Sequence, residues 1–503
     1  MKKIIRINSR DNVAVALADL AKGDVISLED GTTITITSPI TRGHKIALCD
    51  IRSGEDVIKY GYPIGYATEE IKKGSAAHVY NIRTKLRESG EYSFSPQESR
   101  KCMERFEKRK AETSDVPAIN VYHRKDGRIA IRNSLWIIPT VGCVNEIAKR
   151  LEKWGNENLS VADGVHAYTH PFGCSQLGDD HENTRKILAD LVHHPNAGGV
   201  LVLSLGCENN TPSSFKEYLG PVDSSRVRFL TCQDVEDEEE EGKKILKEIA
   251  AVMKNDRRSP DSLSRLVFAA KCGGSDGLSG ITANPLVGRF TDEITAMGGT
   301  MIMSEVPEMF GAEQMLMNRA ESEEVFTSLV SMINGFKAYF TSHGQSVYEN
   351  PSPGNKAGGI STLEDKSLGC VQKGGDAPVT DILSYGERVK KTGLNLLTGP
   401  GNDIVSTTAE TAAGAHIILF TTGRGTPLGA PVPTVKIATN EELAKKKKDW
   451  IDFDASRVLR EDSQSVLIDF INLIIKVANG EVLVKNEING YSEISIFKDG
   501  VTL

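Results

Sequence analysis

From about Ala118 onward the chain alternates short, continuous apolar runs with stretches of helical periodicity, and this alternation constrains the fold more than any other feature. The runs are 135–139, 164–168, 200–204, 227–231, 266–270, 300–304, 394–398, 416–421 and 434–438. They are apolar throughout rather than at every second position, as in parallel strands covered on both faces. Helical spacing lies between several of them, as at 183–193 and 312–334. The pattern is the doubly wound signature of an α/β protein with parallel sheets, in two lobes divided near 255–261. The acidic run 236–241 then serves as the capped start of a helix.

Residues 1–87 read differently. Short β-rich runs such as 3–7 and 33–37 are punctuated by a recurring turn: Ala21-Lys22-Gly23, Thr41-Arg42-Gly43, Arg52-Ser53-Gly54 and Lys72-Lys73-Gly74. The repetition predicts successive turns of a small, curled all-β domain. Residues 88–117, rich in Glu, Lys, Ser and Arg and ending at Pro117, read as a linker with one short helix around 97–110. A middle α/β domain follows over 118–255 and a C-terminal one over 256–503. A chain of 503 residues is too long for a single core.

With 39% hydrophobic and 25% charged residues, the composition is that of an ordinary globular protein. A net charge of −8 gives no long-range attraction for nucleic acid or an anionic membrane. The one basic run, 445–448, reads as a solvated helix face. No apolar run approaches the ~18 residues of a membrane span, and no signal-peptide pattern opens the chain. The expectation is a cytoplasmic protein without nucleic-acid or membrane partners. Its 8 cysteines include no CxxC spacing, so thiols rather than disulfides are expected.

Open parallel sheets bind ligands beyond the carboxyl ends of their strands. After 135–139 comes TVGCVN, with Cys143; after 164–168 comes THPFGCSQLGDDH, with His170 and Cys174; after 200–204 comes LGCENN, with Cys207. After 266–270 comes KCGGSDGLSGITANP, with Cys272, Asp276 and Asn284. Its glycines fit neither the P-loop nor GxGxxG, so they serve a close backbone approach rather than a nucleotide. Asn284-Pro285 starts a helix, where unpaired amides can face a carboxylate. Thiolates at such positions select iron, zinc or iron–sulfur clusters, although each cysteine taken singly also suits a packed strand end.

Later runs lead into EVPEMFGAE, with Glu305 and Glu308 as candidates for metal or proton transfer, and into TGRGTPLG, with Arg424 placed for a carboxylate. The Gly- and Pro-rich segment 350–366 carries Lys356, Glu364 and Lys366 and has the composition of a functional loop. His44 and His78, in the β-rich unit, are structural or belong to a lid laid over the strand ends.

The segments RGHKIAL, IKYGYPIGYA and HVYN resemble the β-clip (SAF-type) domain of sugar-acid dehydratases. The segments PTVGCVN, FGCSQLGDDH, SLGCENN, CGGSDGLSGITANP, SEVPEMFGAE, NPSPGNKAGG and TTGRGTPLGAPVPTVKIATN resemble the altronate/galactarate dehydratase family. LGCENN, LEDKSLGC and IDFDA are closer to its altronate branch. The resemblance implies a hydro-lyase acting on a small sugar acid, activated by Fe2+ or Mn2+, with Rossmann-like parallel sheets in the middle and C-terminal domains and the middle domain contributing to a homodimer. Two departures stand out. Ala77 and Tyr80 flank His78 where the family pattern has further histidines, which puts a multi-histidine metal site in doubt. Cys370 stands where the galactarate branch tends to lack a cysteine, which argues against it as an essential ligand.

Dehydrating a 2,3-dihydroxy acid takes a proton from C2 and expels the C3 hydroxyl, so a cation on the carboxylate, a base and an acid are needed. The resemblance and the strand-end pattern together put iron on some of Cys143, Cys174 and Cys207, with Cys272 close by. Arg424 and Lys356 then hold carboxylate or hydroxyls, with Asp276 and Asn284 on the substrate side. His44 or His170 moves the proton, with His78 second. A second version uses an oxygen-rich site from Asp276, Glu305, Glu308 and Glu364 for manganese or magnesium, and an iron–sulfur cluster stays open. A non-catalytic sugar-acid binder would need the same Arg and Lys but no acid/base pair.

Overall fold

The computed structural model describes residues 3–28, 31–86, 90–113, 115–500 and 502; the boundary read at 87/88 lies outside them. The chain is mixed α/β, with an all-β N-terminal unit ahead of two parallel sheets. In the N-terminal unit the four recurring turns place Gly23, Gly43, Gly54 and Gly74 at φ of 91°, 85°, 85° and 84°. That left-handed conformation is what makes each of them glycine. Short antiparallel strands between the turns curl into a β-clip.

The middle sheet consists of β1 (Ser134–Pro139), β2 (Val165–Ala167), β3 (Ala197–Ser204) and β4 (Val227–Thr231). All are parallel, in the order β2-β1-β3-β4. The C-terminal sheet has seven parallel strands: β5 (Val267–Cys272), β6 (Thr300–Met303), β7 (Val379–Leu383), β8 (Gly393–Leu397), β9 (Ile417–Thr422), β10 (Thr434–Ala438) and β11 (Phe453–Asp454). Their order is β7-β8-β6-β5-β9-β10-β11. Winding runs from β5 toward β6 and later resumes on the other side at β9, so the chain reverses direction between β5 and β9. Such a switch point leaves a crevice beyond the strands' carboxyl ends.

The acidic run becomes the first turn of helix Glu238–Met253, capped by Asp237. Three expectations change. The helix expected around 97–110 forms as Pro96–Glu112, but its segment is strapped to the C-terminal unit rather than a free linker. Ser99 Oγ donates to the Ala320 carbonyl at 2.7 Å and Arg109 pairs with Asp292 at 2.6 Å. The helical stretch 312–334 divides into Glu313–Met317 and Glu323–Ser342, the second restarted by its Ser322 cap. Residues 255–261 are not a plain break, because strand Arg258–Ser262 pairs antiparallel with Ala118–His123 and ties the two α/β units together.

The β-clip has its own small core around Ile26, Ile34 and Ile46. Its other apolar face, with Val57, Ile64 and Ile82, joins the core beneath the C-terminal sheet, which holds Phe268, Phe290 and Phe470. Docking of the β-clip is therefore part of the fold. Among the described residues no helix is long and apolar enough to cross a membrane.

Candidate active site

The crevice at the β5/β9 switch point has three walls. The loop after β5 and the loop after β9 interlock, Gly273 N donating to Thr421 O at 2.9 Å and Gly423 N to Gly274 O at 3.1 Å. Short helix Pro353–Ala357, capped by Ser352, forms the second wall, and Asn355 Nδ2 ties it to Ser275 O at 2.8 Å. The β-clip turn at Gly43 closes the third. Together they enclose a cleft of about 560 Å³ lined by Arg42, Gly43, Asp276, Gly358, Arg424 and Asn440.

Three backbones meet at Gly277. Its N–H donates to Gly358 O at 2.7 Å, and a Cβ placed on it would stand 1.9 Å from Gly43 O. Gly277→Ala is therefore expected to push the β-clip off this wall, destabilising the protein by about 1–3 kcal/mol as overpacking does. Limited proteolysis within residues 3–86 should accelerate. Unchanged protection there would show that the contact is not needed.

Beneath the turn, Lys45 Nζ donates to Gly359 O at 2.7 Å and to Asp365 Oδ2 at 2.8 Å, while Lys59 Nζ donates to Asp365 Oδ1 at 3.0 Å. All three charged side chains are at most 2% exposed. Burial alone would raise the Asp365 carboxyl, but Lys45 and Lys59 outweigh it and hold it below the usual carboxylate range. Burial pulls the Lys45 ammonium down to about 8, against the pull of Asp365. These residues latch the β-clip to helix Leu363–Cys370.

His44 and His78 stand beside the latch, their rings edge to face with centroids 4.9 Å apart. Burial, and then Lys45, lowers the His44 imidazole against the pull of the Arg42 carbonyl. Burial, Lys45 and His44 bring His78 down to about 4. Both rings are neutral near physiological pH, the form in which an imidazole accepts a proton.

At the ends of β5 and β6 lies a buried set of amines, acids and thiols. Glu305 occupies the left-handed region at φ 67°, an outlier of the kind that concentrates at functional sites. It accepts from Cys272 N at 2.9 Å and Lys373 Nζ at 3.0 Å and pairs with Lys271. Glu308 Oε1 pairs with Lys366 at 2.8 Å and its Oε2 accepts from Cys370 Sγ at 2.9 Å. Burial would raise the Glu308 carboxyl, but Lys366, Lys271 and Lys373 hold it at about 2. The two thiols share a hydrogen bond that lowers Cys272 and raises Cys370. Ser304 Oγ donates to Glu410 at 2.6 Å, and burial lifts that carboxyl to about 8.

Of the expected site residues, His44, His78, Lys356, Asp276, Arg424 and Cys272 come to this region. Arg424 is exposed in the cleft wall and Lys356 half-buried on the short helix beside His78. Asp276 is a clamp inside the wall, its oxygens taken by Thr439 Oγ1 and Asn440 Nδ2. Asn284 is buried, donating to Gly369 O and accepting from Thr421 Oγ1, so both ends of its amide have protein partners. His170 is placed elsewhere. It is buried in the middle unit with Nε2 on Pro139 O and Nδ1 on Phe172 N, and burial lowers it to about 4, a loop support rather than a proton carrier in the crevice.

Cys143, Cys174 and Cys207 are exposed at the switch point of the middle sheet. Their loops are tied together by Gly142 N to Phe172 O at 2.8 Å, Asn210 N to Gly173 O at 3.3 Å and Thr140 Oγ1 to Glu208 Oε1 at 2.7 Å. Cys272 is buried in the other sheet, and among the described residues no three of these four thiols lie within 4.8 Å of one another. The oxygen-rich set also disperses: Glu364 accepts from Thr84 and Lys85 of the β-clip side. Among the described residues, only Cys272, Glu308 and Cys370 bring three metal-type donor atoms within 4.8 Å of one another.

Family profiles match along nearly the whole chain: the altronate/galactarate dehydratase SAF domain over 2–85, the D-galactarate dehydratase/altronate hydrolase second domain over 121–254, and the D-galactarate/altronate dehydratase C-terminal region over 263–502. The chain belongs to the altronate/galactarate dehydratase family. Within this family it is similar to the altronate dehydratase of Escherichia coli (strain K12), 53% identical with 99% of each chain covered. It is 52% identical to the altronate dehydratase of Bacillus subtilis (strain 168), with both chains covered in full. The galactarate dehydratase (L-threo-forming) of E. coli is 31% identical, with 95% of this chain and 93% of that one covered.

Proposed function

We propose that the protein is a hydro-lyase that dehydrates D-altronate to 2-dehydro-3-deoxy-D-gluconate, in hexuronate (galacturonate) catabolism. The observation that carries this reading is full-length identity above 50% to two altronate dehydratases, against 31% to a galactarate dehydratase. The reading has it working in the cytoplasm as a homodimer on a small sugar acid, with neither nucleic acid nor membrane as partner.

In this reading Arg424 and Lys356 hold the carboxylate in the cleft, where a fixed cation also stabilises the charge that builds up once the C2 proton leaves. The neutral His44/His78 pair takes that proton. Lys366, paired with Glu308 behind the loop after β5, returns one to the departing hydroxide. The β-clip supplies the base and the C-terminal sheet the acid, so the two must stay docked for turnover. Iron, which the family resemblance implies, suits the paired thiols and carboxylate of Cys272, Cys370 and Glu308 by donor chemistry. When bound it would supply a Lewis acid to a substrate oxygen.

The test is to incubate the protein with D-altronate and Fe2+ under reductant and to assay for a 2-keto-3-deoxy acid, with galactarate in parallel. Product from altronate alone is the expected result. Product from galactarate alone would move the chain to the other branch, and no product from either under any metal would sink the enzyme reading.

A further inference from the structure

We propose that Cys272, Glu308 and Cys370 form a binding site for one divalent ion of the zinc or ferrous-iron kind. The part such an ion plays in a dehydration rests on the function proposed above, whereas its binding does not.

The donors come from three separate elements: Cys272 ends β5, Glu308 lies in the turn Val306–Glu308 after β6, and Cys370 ends helix Leu363–Cys370. Their donor atoms all lie within 4.8 Å of one another, and all three residues are buried. The proton that Cys370 Sγ donates to Glu308 Oε2 across 2.9 Å occupies the place a shared ion would take. Glu308 is held for that role from its other side. Lys366 binds Oε1 and is itself fixed by Asn350 Oδ1 at 3.0 Å and Asn355 Oδ1 at 3.2 Å. A cavity of about 10 Å³, on the order of one water, adjoins Cys370 and Lys366.

Three lysines surround this site, which would ordinarily oppose a cation. Lys271, Lys366 and Lys373 are, however, matched by Glu305, Glu308 and Asp403. A divalent ion that displaces two thiol protons leaves this balanced set unchanged in net charge, so no uncompensated charge is buried. Two sulfurs and one carboxylate oxygen suit Zn2+, Fe2+ or Co2+ rather than Mn2+ or Mg2+. Three protein donors with a vacant fourth position are the arrangement of ions that bind a substrate oxygen. Glu305 does not compete for the ion, because Lys271, Lys373 and Cys272 N already occupy its carboxylate.

The experiment strips the full-length protein with a chelator under anaerobic reductant and titrates it with Co2+ alone. The expected result is one equivalent bound, with an intense thiolate-to-cobalt absorption and tetrahedral visible bands. Cys370→Ser and Cys272→Ser should each weaken binding more than about 100-fold. The triple variant Cys143→Ala, Cys174→Ala, Cys207→Ala should keep the signal. Circular dichroism selects folded variants, and Glu308→Gln, which retains side-chain volume, serves as an independent third probe expected to shift the visible bands. A signal that survives in both serine variants, or that disappears in the triple variant, would overturn the site. Turnover of altronate by protein that binds no Co2+ would overturn it too, while leaving the dehydratase reading intact.

Discussion

Asp365→Asn is expected to lower the stability of the protein by about 3–5 kcal/mol, the usual result of removing one partner from a buried ion pair. The substitution keeps the shape of the side chain but leaves Lys45 and Lys59 facing a neutral amide with no water to replace the lost charge. Lys45, already pulled down to about 8, sheds its proton most readily, so part of the penalty becomes a protonation change near neutral pH. The consequence is local before it is global: the β-clip should release from helix Leu363–Cys370. Denaturant midpoints and hydrogen exchange of residues 31–86 measure it. A loss under 1 kcal/mol with unchanged exchange would show that the latch holds nothing. Replacing Lys45, Lys59 and Asp365 together by Met, Met and Leu should restore much of the stability, since apolar groups of similar volume do not leave a charge unpaired.

His44→Asn and His78→Asn carry the largest expected effect on turnover, a fall in kcat of about 10²–10⁴ for loss of a positioned base. Neither ring is part of the latch, so unfolding midpoints should stay close to that of the parent. Direction with pH separates the proposed base from a structural pair. A base works as neutral imidazole, and burial lowers both rings below the ordinary 6.5. Activity should therefore persist as the pH drops through 6.5 and fall only nearer the lowered values. An acid limb at or above 6.5 would assign the proton transfer to another group.

The two parallel sheets were legible because continuous apolar runs are a direct imprint of burial on both faces. Strand β7, Val379–Leu383, was not, since its Thr380 and Asp381 interrupt the run at a sheet edge where one flank is wet. Part of the site was legible through residues that follow strands: Cys272, Arg424 and the glycine loop all sit at the switch point. His170 misled because a strand-end position says nothing about whether a ring points into a crevice or back onto its own loop. The buried charges were missed for a related reason. Lys45, Lys59, Lys271 and Asp365 are unremarkable one at a time, and only tertiary pairing makes their burial tolerable. A signal did exist for Lys271, a lone charge directly after the fully apolar run 266–270, and for Lys45, between His44 and the apolar IAL of 46–48. Cys370 was set aside on its sequence context, yet folding brings its thiol to Glu308 across 62 positions of chain.

The latch also sets an order of events at the ribosome. Lys45 and Lys59 precede Asp365 by 320 and 306 residues. At roughly 5–20 residues per second, their partner emerges some 15–60 s after they do. During that interval the N-terminal unit has only the Ile26, Ile34 and Ile46 core to hold it, and the face bearing Val57, Ile64 and Ile82 stays in contact with water. A nascent chain of this protein thus passes through a long stage with a greasy, lysine-bearing surface still waiting for its cover.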